Sequence, residues 1–294
     1  MYNISIIIGG PMNIIKTSKT GFCYGVERSI TITSETKNIY PKPYYLLGML
    51  VHNSIVNEEL KSKGFEIIDN YEKHLHERAT FISTAHGIHE KVKKRILHSG
   101  NTLIDTTCPI VIRNNQKIIN YFKDNYDIIY FGKHNHQESN VVKDYVHIIE
   151  NKSDIDKLKI KNHKVVLVNQ TTMGIDELKD IENYMKLKYP NCIIDTLICP
   201  STRDRQNELK ELLNKYNSEK DFWLVLGDKR SNNTTKLYET TKQNTSNCLF
   251  ISNIEELENI NLDSMNNIIL TSGTSTPSSF VDTIYEYLNN KYKK

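Results

Sequence analysis

The chain has 294 residues, of which 25% are charged, with a formal net charge of +3. That balance excludes the strongly basic footprint of a nucleic-acid binder, and no apolar run reaches the roughly 20 residues needed to cross a bilayer. Five cysteines, an odd number without close pairs, and no basic-then-apolar leader argue against a disulfide framework and predict a reducing, cytoplasmic setting.

Taken in chain order, the elements repeat. A strand-like run, NIIKTSKTGFC, leads into Cys23 and a helical pattern, VERSITITSETKNIY. The short apolar run PYYLLG follows, ending at Gly48, and His52 stands four residues beyond it. A second apolar run, ATFISTAHG, carries His86, and the helical HEKVKKRILHSG leads to LIDTTCP and Cys108. The second block repeats this order with IVIRNNQKIINYFKDN, DIIYFG ending at Gly132, then His136, KVVLVNQTTMG with Thr171, and GIDELKDIENYMKLKYP. It closes on IIDTLICP, a near copy of LIDTTCP, which delivers Cys199. The third block has RDRQNELKELLNKYN, DFWLVLG ending at Gly227, Ser231, NIILTSGTSTP with Ser275, and PSSFVDTIYEYLNN. The cysteines are spaced by 85 (108 − 23) and 91 (199 − 108) residues, and His86 and Thr171 both lie 63 residues after their own cysteine. The basic segments HEKVKKR and KLKIKNHK are read as solvated faces.

Strands alternating with helices predict parallel α/β units, whose functional groups gather beyond the carboxyl ends of the strands. The expected architecture is a pseudo-threefold trefoil of small α/β lobes over 23–107, 108–198 and 199–290. The third block has no successor, so the N-terminal strand within 12–22 is expected to complete it.

Each of the three repeated cysteines opens a predicted helix, where the backbone dipole is expected to favour thiolate. Cys192 and Cys248 fall outside the repeat and are read as small buried hydrophobes. Three thiols suit either a zinc site completed by a histidine or an iron-sulfur cubane with one iron open to substrate. His52, His86, His136, Ser231, Asn233 and Ser275 form a donor-rich set suited to a phosphate or diphosphate. Glu138, in HNHQE, is the nearby carboxylate and is read as a proton donor, with Thr171 positioned to place or relay the proton.

In order, GFCYGVERSI, VHN, STAHG, TTCP, HNHQE, NQTT, IC followed by RQ, GDKRSNN and SGTSTP resemble the LytB family of 4-hydroxy-3-methylbut-2-enyl diphosphate reductases over about residues 12 to 290. The resemblance implies a 4Fe-4S cluster held by Cys23, Cys108 and Cys199. It implies a diphosphate pocket of His52, His86, His136, Ser231, Asn232, Asn233 and Ser275, with Thr171 near the substrate hydroxyl and Glu138 as proton donor. The implied reaction is a two-electron reductive dehydroxylation giving isopentenyl and dimethylallyl diphosphates, the last step of the methylerythritol phosphate pathway. The implied electron donor is a ferredoxin or flavodoxin. Two positions depart from the family pattern: Asn232, where serine is usual, and Pro200 directly after Cys199. MYNISIIIGGP, residues 1 to 11, precedes the usual start and is expected to be dispensable. The rival readings are a non-catalytic iron-sulfur regulator or electron carrier, and a zinc-dependent phosphate-ester hydrolase.

Overall fold

A computed structural model describes residues 12–160 and 164–292; the proposed extension 1–11 lies outside the described residues. The first stretch contains β1 (Asn13–Lys16), α1 (Tyr24–Ile39), β2 (Tyr44–Leu47), α2 (Ser54–Ser62), β3 (Phe65–Ile68), β4 (Thr80–Ile82), α3 (Glu90–His98) and β5 (Thr102–Ile104). The second contains α4 (Pro109–Lys123), β6 (Asp127–Phe131), α5 (Gln137–Val142), β7 (His147–Ile149), α6 (Lys152–Lys157), β8 (Val165–Asn169), α7 (Ile175–Lys188) and β9 (Ile193–Ile194). The third contains α8 (Pro200–Lys215), β10 (Asp221–Leu226), α9 (Asn232–Asn244), β11 (Cys248–Ile251), β12 (Asn267–Ser272) and α10 (Ser278–Tyr292).

The strands form three four-stranded parallel sheets, ordered β3-β2-β4-β5, β7-β6-β8-β9 and β11-β10-β12-β1. The protein is therefore an α/β fold with one topology written three times. In the third sheet β1 takes the edge that β5 and β9 take in the others, pairing Asn13 with Asn267 through Lys16 with Leu270. The near-identical phrases before Cys108 and Cys199 supply β5 and β9, so the much-altered NIIKTSKTGFC performs the same task from the far end of the chain.

Strands covered on both faces read as continuous apolar runs, and every residue of β6 and β8 is buried. Their alternation divides two cores. Ile129, Phe131, Val165 and Leu167 pack with Leu178, Ile181 and Met185 of α7, while Ile128, Tyr130, Val166 and Val168 pack with Ile118 of α4 and Val142 of α5. In the third sheet, fully buried Trp223 sits among Leu209, Leu213, Leu237 and Ile269, and its indole N–H donates to Tyr216 O at 3.0 Å. That bond lets the largest side chain be buried without an unmet donor.

The chain divides into two compact units, one of residues 23–203 and the other joining the N-terminal segment to 204–294. Among the described residues no helix is long and apolar enough to cross a membrane.

Candidate active site

In the 23–203 unit, Cys23 and Cys108 are the N-cap residues of α1 and α4, and Cys199 immediately precedes α8. Cys108 and Cys199 are each held by a loop at the end of an interior strand: Cys108 N donates to Ala85 O at 3.0 Å and Cys199 N to Thr171 O at 2.9 Å. Gly25, in the first turn of α1, is required by this packing. A Cβ there would lie 2.5 Å from Cys108 Sγ, so any side chain would displace the thiol.

The expected lowering of thiol pKa is overturned for Cys108 and Cys199. Backbone N–H groups of residues 110 and 111, and of 201 and 202, do favour the thiolates, but burial is the larger effect and raises both thiols. The neighbouring cysteines push the same way: Cys23 and Cys199 act on Cys108, and Cys23 acts on Cys199. A cationic centre held between these thiols would reverse that balance at Cys108 and Cys199. Of the two cysteines outside the repeat, Cys248 is buried beside Trp223 as expected, whereas Cys192 is only partly buried and packs at the margin of the β6 and β8 core.

Beyond the same strand ends, His52, His86 and His136 form a compact cluster with ring centroids 4.5, 5.1 and 5.2 Å apart. Burial lowers His86 to about 4, and burial reinforced by His86 lowers His136 to about 3, although Glu138 opposes the latter. The two imidazoles are therefore neutral near pH 7. A ring nitrogen from each of the three lies within 4.8 Å of the others, a spacing that admits a metal ion. The tautomer argues otherwise. His136 caps α5, its Nδ1 accepting from Glu138 N at 3.1 Å, so the neutral ring carries its proton on Nε2 and offers a donor rather than a ligand lone pair.

Glu138 is 2% exposed. Its Oε2 accepts from Thr171 N at 3.0 Å, and Thr171 Oγ1 lies 3.1 Å from both carboxylate oxygens, while His86 Nδ1 is 3.9 Å from Oε1. Thr171 thus holds the carboxylate through its amide and hydroxyl, and Cys199 through its carbonyl.

In the other unit, Ser231 caps α9, its Oγ accepting from Thr234 N at 3.3 Å, which leaves the hydroxyl proton for another acceptor. Asn232 and Asn233 open the helix, and both amide atoms of the 1% exposed Asn233 are buried without a hydrogen bond among the described residues. The Thr234 side chain fills the space a Cβ on Gly227 or Gly273 would need, with Oγ1 2.9 and 1.8 Å from those positions. This close fit sets the first turn of α9 against the loop that carries buried Ser275.

Several supporting residues escape a sequence reading. Asn57 of α2 accepts from Leu50 N at 3.0 Å and donates to Val51 O at 2.7 Å, bracing the loop that presents His52. Asn169 Oδ1 accepts from Leu197 N at 2.7 Å, tying the approach to Cys199 to the end of β8. Arg230 and Asp228 form a two-point ion pair, at 2.9 and 2.6 Å, beside Ser231. The only signal for Asn57 and Asn169 is an amide at a position the periodicity assigns to the core.

Cysteines at helix starts, a buried carboxylate and neutral polar side chains, found beyond the carboxyl ends of parallel strands, are the features of an α/β enzyme. Comparison with known proteins gives the class its family. The LytB protein family matches residues 14–289. The 4-hydroxy-3-methylbut-2-enyl diphosphate reductase of Geobacillus thermodenitrificans is 33% identical over 94% of this chain and 90% of its own, and that of Listeria monocytogenes is 35% identical over 94% and 86%. The solved structure of the E-1-hydroxy-2-methyl-but-2-enyl-4-diphosphate reductase from Plasmodium falciparum superposes with a TM-score of 0.87 at 30% identity, covering 96% of this chain and 89% of that one. The chain belongs to the LytB family of reductases.

Proposed function

We propose that this chain carries out the two-electron reductive dehydroxylation of 4-hydroxy-3-methylbut-2-enyl diphosphate, with a 4Fe-4S cluster held by Cys23, Cys108 and Cys199. The observation that carries the reading is one hydrogen-bonded run in which Thr171 joins the Glu138 carboxylate to the peptide N–H of Cys199. A proton donor, a hydroxyl group and a cluster ligand are thereby fixed in one frame.

The cluster, when bound, supplies the electrons and a Lewis-acid iron that lacks a protein thiolate. The chain's residues do the rest. The N–H and O–H groups of His52, His86, His136, Ser231, Asn232, Asn233 and Ser275 bind the diphosphate. Thr171 orients the substrate hydroxyl toward Glu138. The C–O bond breaks as Glu138 gives its proton to the departing hydroxyl, which leaves as water. The allylic fragment takes up two electrons and a second proton to give isopentenyl or dimethylallyl diphosphate, and burial of Glu138 keeps bulk water from the exchange. A ferredoxin or flavodoxin supplies the electrons, one at a time.

Anaerobic purification tests the assignment. The wild-type chain and Cys192→Ser should be brown and carry iron, and Cys199→Ser should not retain a full cluster. A colourless wild type containing zinc and no iron would overturn the reading in favour of a hydrolase. A brown protein whose EPR signal ignores the hydroxylated diphosphate would favour an electron carrier.

A further inference from the structure

The three connections that deliver the cluster cysteines are secured in different ways. Before Cys108, the buried Ser83 hydroxyl at the end of β4 accepts from Thr106 N at 2.8 Å, and Thr106 Oγ1 donates back to Ser83 O at 2.7 Å. Before Cys199, Asn169 at the end of β8 plays that part, accepting from Leu197 N and donating to Leu197 O at 3.2 Å. The matching position at the end of β12 is Ser272, whose buried hydroxyl makes no hydrogen bond among the described residues. Its neutral tie to the connection before Cys23 is missing.

A charged pair on α8 replaces it. Glu208 accepts from two successive amides, Ser18 N at 2.5 Å and Lys19 N at 3.3 Å. Arg205, three residues earlier and so on the same helix face, donates from Nε to Lys19 O at 2.9 Å and from Nη2 to Gly21 O at 2.6 Å. Arg205 is only 5% exposed, and burying a guanidinium is unfavourable unless its donors are met. The carbonyls of residues 19 and 21 therefore hold Arg205 as firmly as Arg205 holds them. Gly21, at φ +78°, completes the fit, because a Cβ there would lie 2.0 Å from Ser278 Oγ. Between β1 and α1 the chain has no regular structure, so these contacts set where Cys23 emerges.

We propose that Arg205 and Glu208 are positioning residues for the Cys23 thiol: through them the helix that starts after Cys199 also fixes the approach to Cys23. This deepens the cluster reading and rests on it. Charged side chains reach the other two connections as well, Arg28 donating to Thr107 O at 3.2 Å and Lys117 to Asp195 O at 2.6 Å, but there the neutral tie remains beside them. Among the described residues the Cys23 connection lacks that tie, so Cys23 is the first ligand freed when its charged clamp is cut.

The test uses the full-length chain as purified anaerobically, exposed to a chelator and pulsed with N-ethylmaleimide, with alkylation of each cysteine followed by mass spectrometry. Arg205→Met should speed alkylation of Cys23 by on the order of tenfold over Cys108 and Cys199, and Glu208→Gln, which keeps one acceptor, by about threefold. Iron release should accelerate in the same order, with Arg205→Lys intermediate. Uniform acceleration at every cysteine in Arg205→Met would mark general unfolding, and Glu208→Gln then decides: selective exposure of Cys23 supports the clamp, and unchanged or uniform labelling overturns it. A wild type without iron would defeat the cluster reading while leaving the order of cysteine exposure measurable.

Discussion

Two regions offer hydrogen-bond donors to an anion, and they are completed to different degrees. In the 23–203 unit the imidazoles brace one another, His136 is locked by capping α5, and the His52 loop is buttressed by Asn57. In the other unit Asn233 lies buried with both amide atoms unmet. Both regions keep unmet polar atoms for an anion, Nε2 of His86 in the first and the Asn233 amide in the second, but the rings are braced by one another and by the α5 cap, whereas neither Asn233 amide atom is met among the described residues. An unsatisfied buried polar group costs about 1–3 kcal/mol, so a ligand that satisfies it recovers that amount on binding.

The largest expected effect falls on the carboxylate beside the histidines and calibrates both regions. Glu138→Gln should cut kcat by roughly 10²- to 10⁴-fold while KM stays within about threefold, because only the proton is removed; near-normal turnover would exclude Glu138 as the donor. Within the histidine region, His136→Asn keeps a capping side chain but loses the Nε2 donor, and KM should rise by roughly 10- to 100-fold. An unchanged KM there would detach the imidazoles from substrate binding. Asn233→Ala should raise KM by about tenfold, yet change the stability of the substrate-free protein by less than about 1 kcal/mol, since the amide it removes has no partner to lose. A large loss of stability would end the contrast by showing that Asn233 is a structural residue.

The smallest effect is a pH dependence confined to the histidine region. His86 and His136 titrate at about 4 and 3 when folded, below the ordinary 6.5, so the unfolded chain binds more protons as pH falls. Their contribution is complete above about pH 6.5 and declines below it until the folded rings protonate. Denaturant titrations of substrate-free protein should lose on the order of 1 kcal/mol between pH 7 and pH 6, and His86→Gln should lessen that slope. An equal slope in the variant would show that His86 does not titrate as its burial requires.

Much of this site is legible in the chain because parallel βα units put function at fixed places. Three cysteines at repeated intervals, with His52, His86, His136 and Thr171 after equivalent strands, mark strand ends before any coordinates are known. The thiols show where such reading fails. Helix N-termini alone predict lowered pKa values, but burial prevails at Cys108 and Cys199, and burial is a property of packing. Ser83, Asn57 and Asn169 are equally hidden, and Arg205, although it stands in the quoted RQ pair, shows no role there, because each acts on backbone groups distant in sequence.

The sequence by itself determined the strand and helix order, the threefold repeat, the residue types at its loops and the family, because periodicity, spacing and motif order are local or countable. It also predicted that the N-terminal strand completes the third unit; tertiary structure alone decided the register of β1 beside β12, that His136 presents a donor, and that the approach to Cys23 is gripped by Arg205 and Glu208. Each depends on which distant backbone group a side chain meets once the sheets have formed, and hydrogen bonds between such partners leave no periodic trace in the chain.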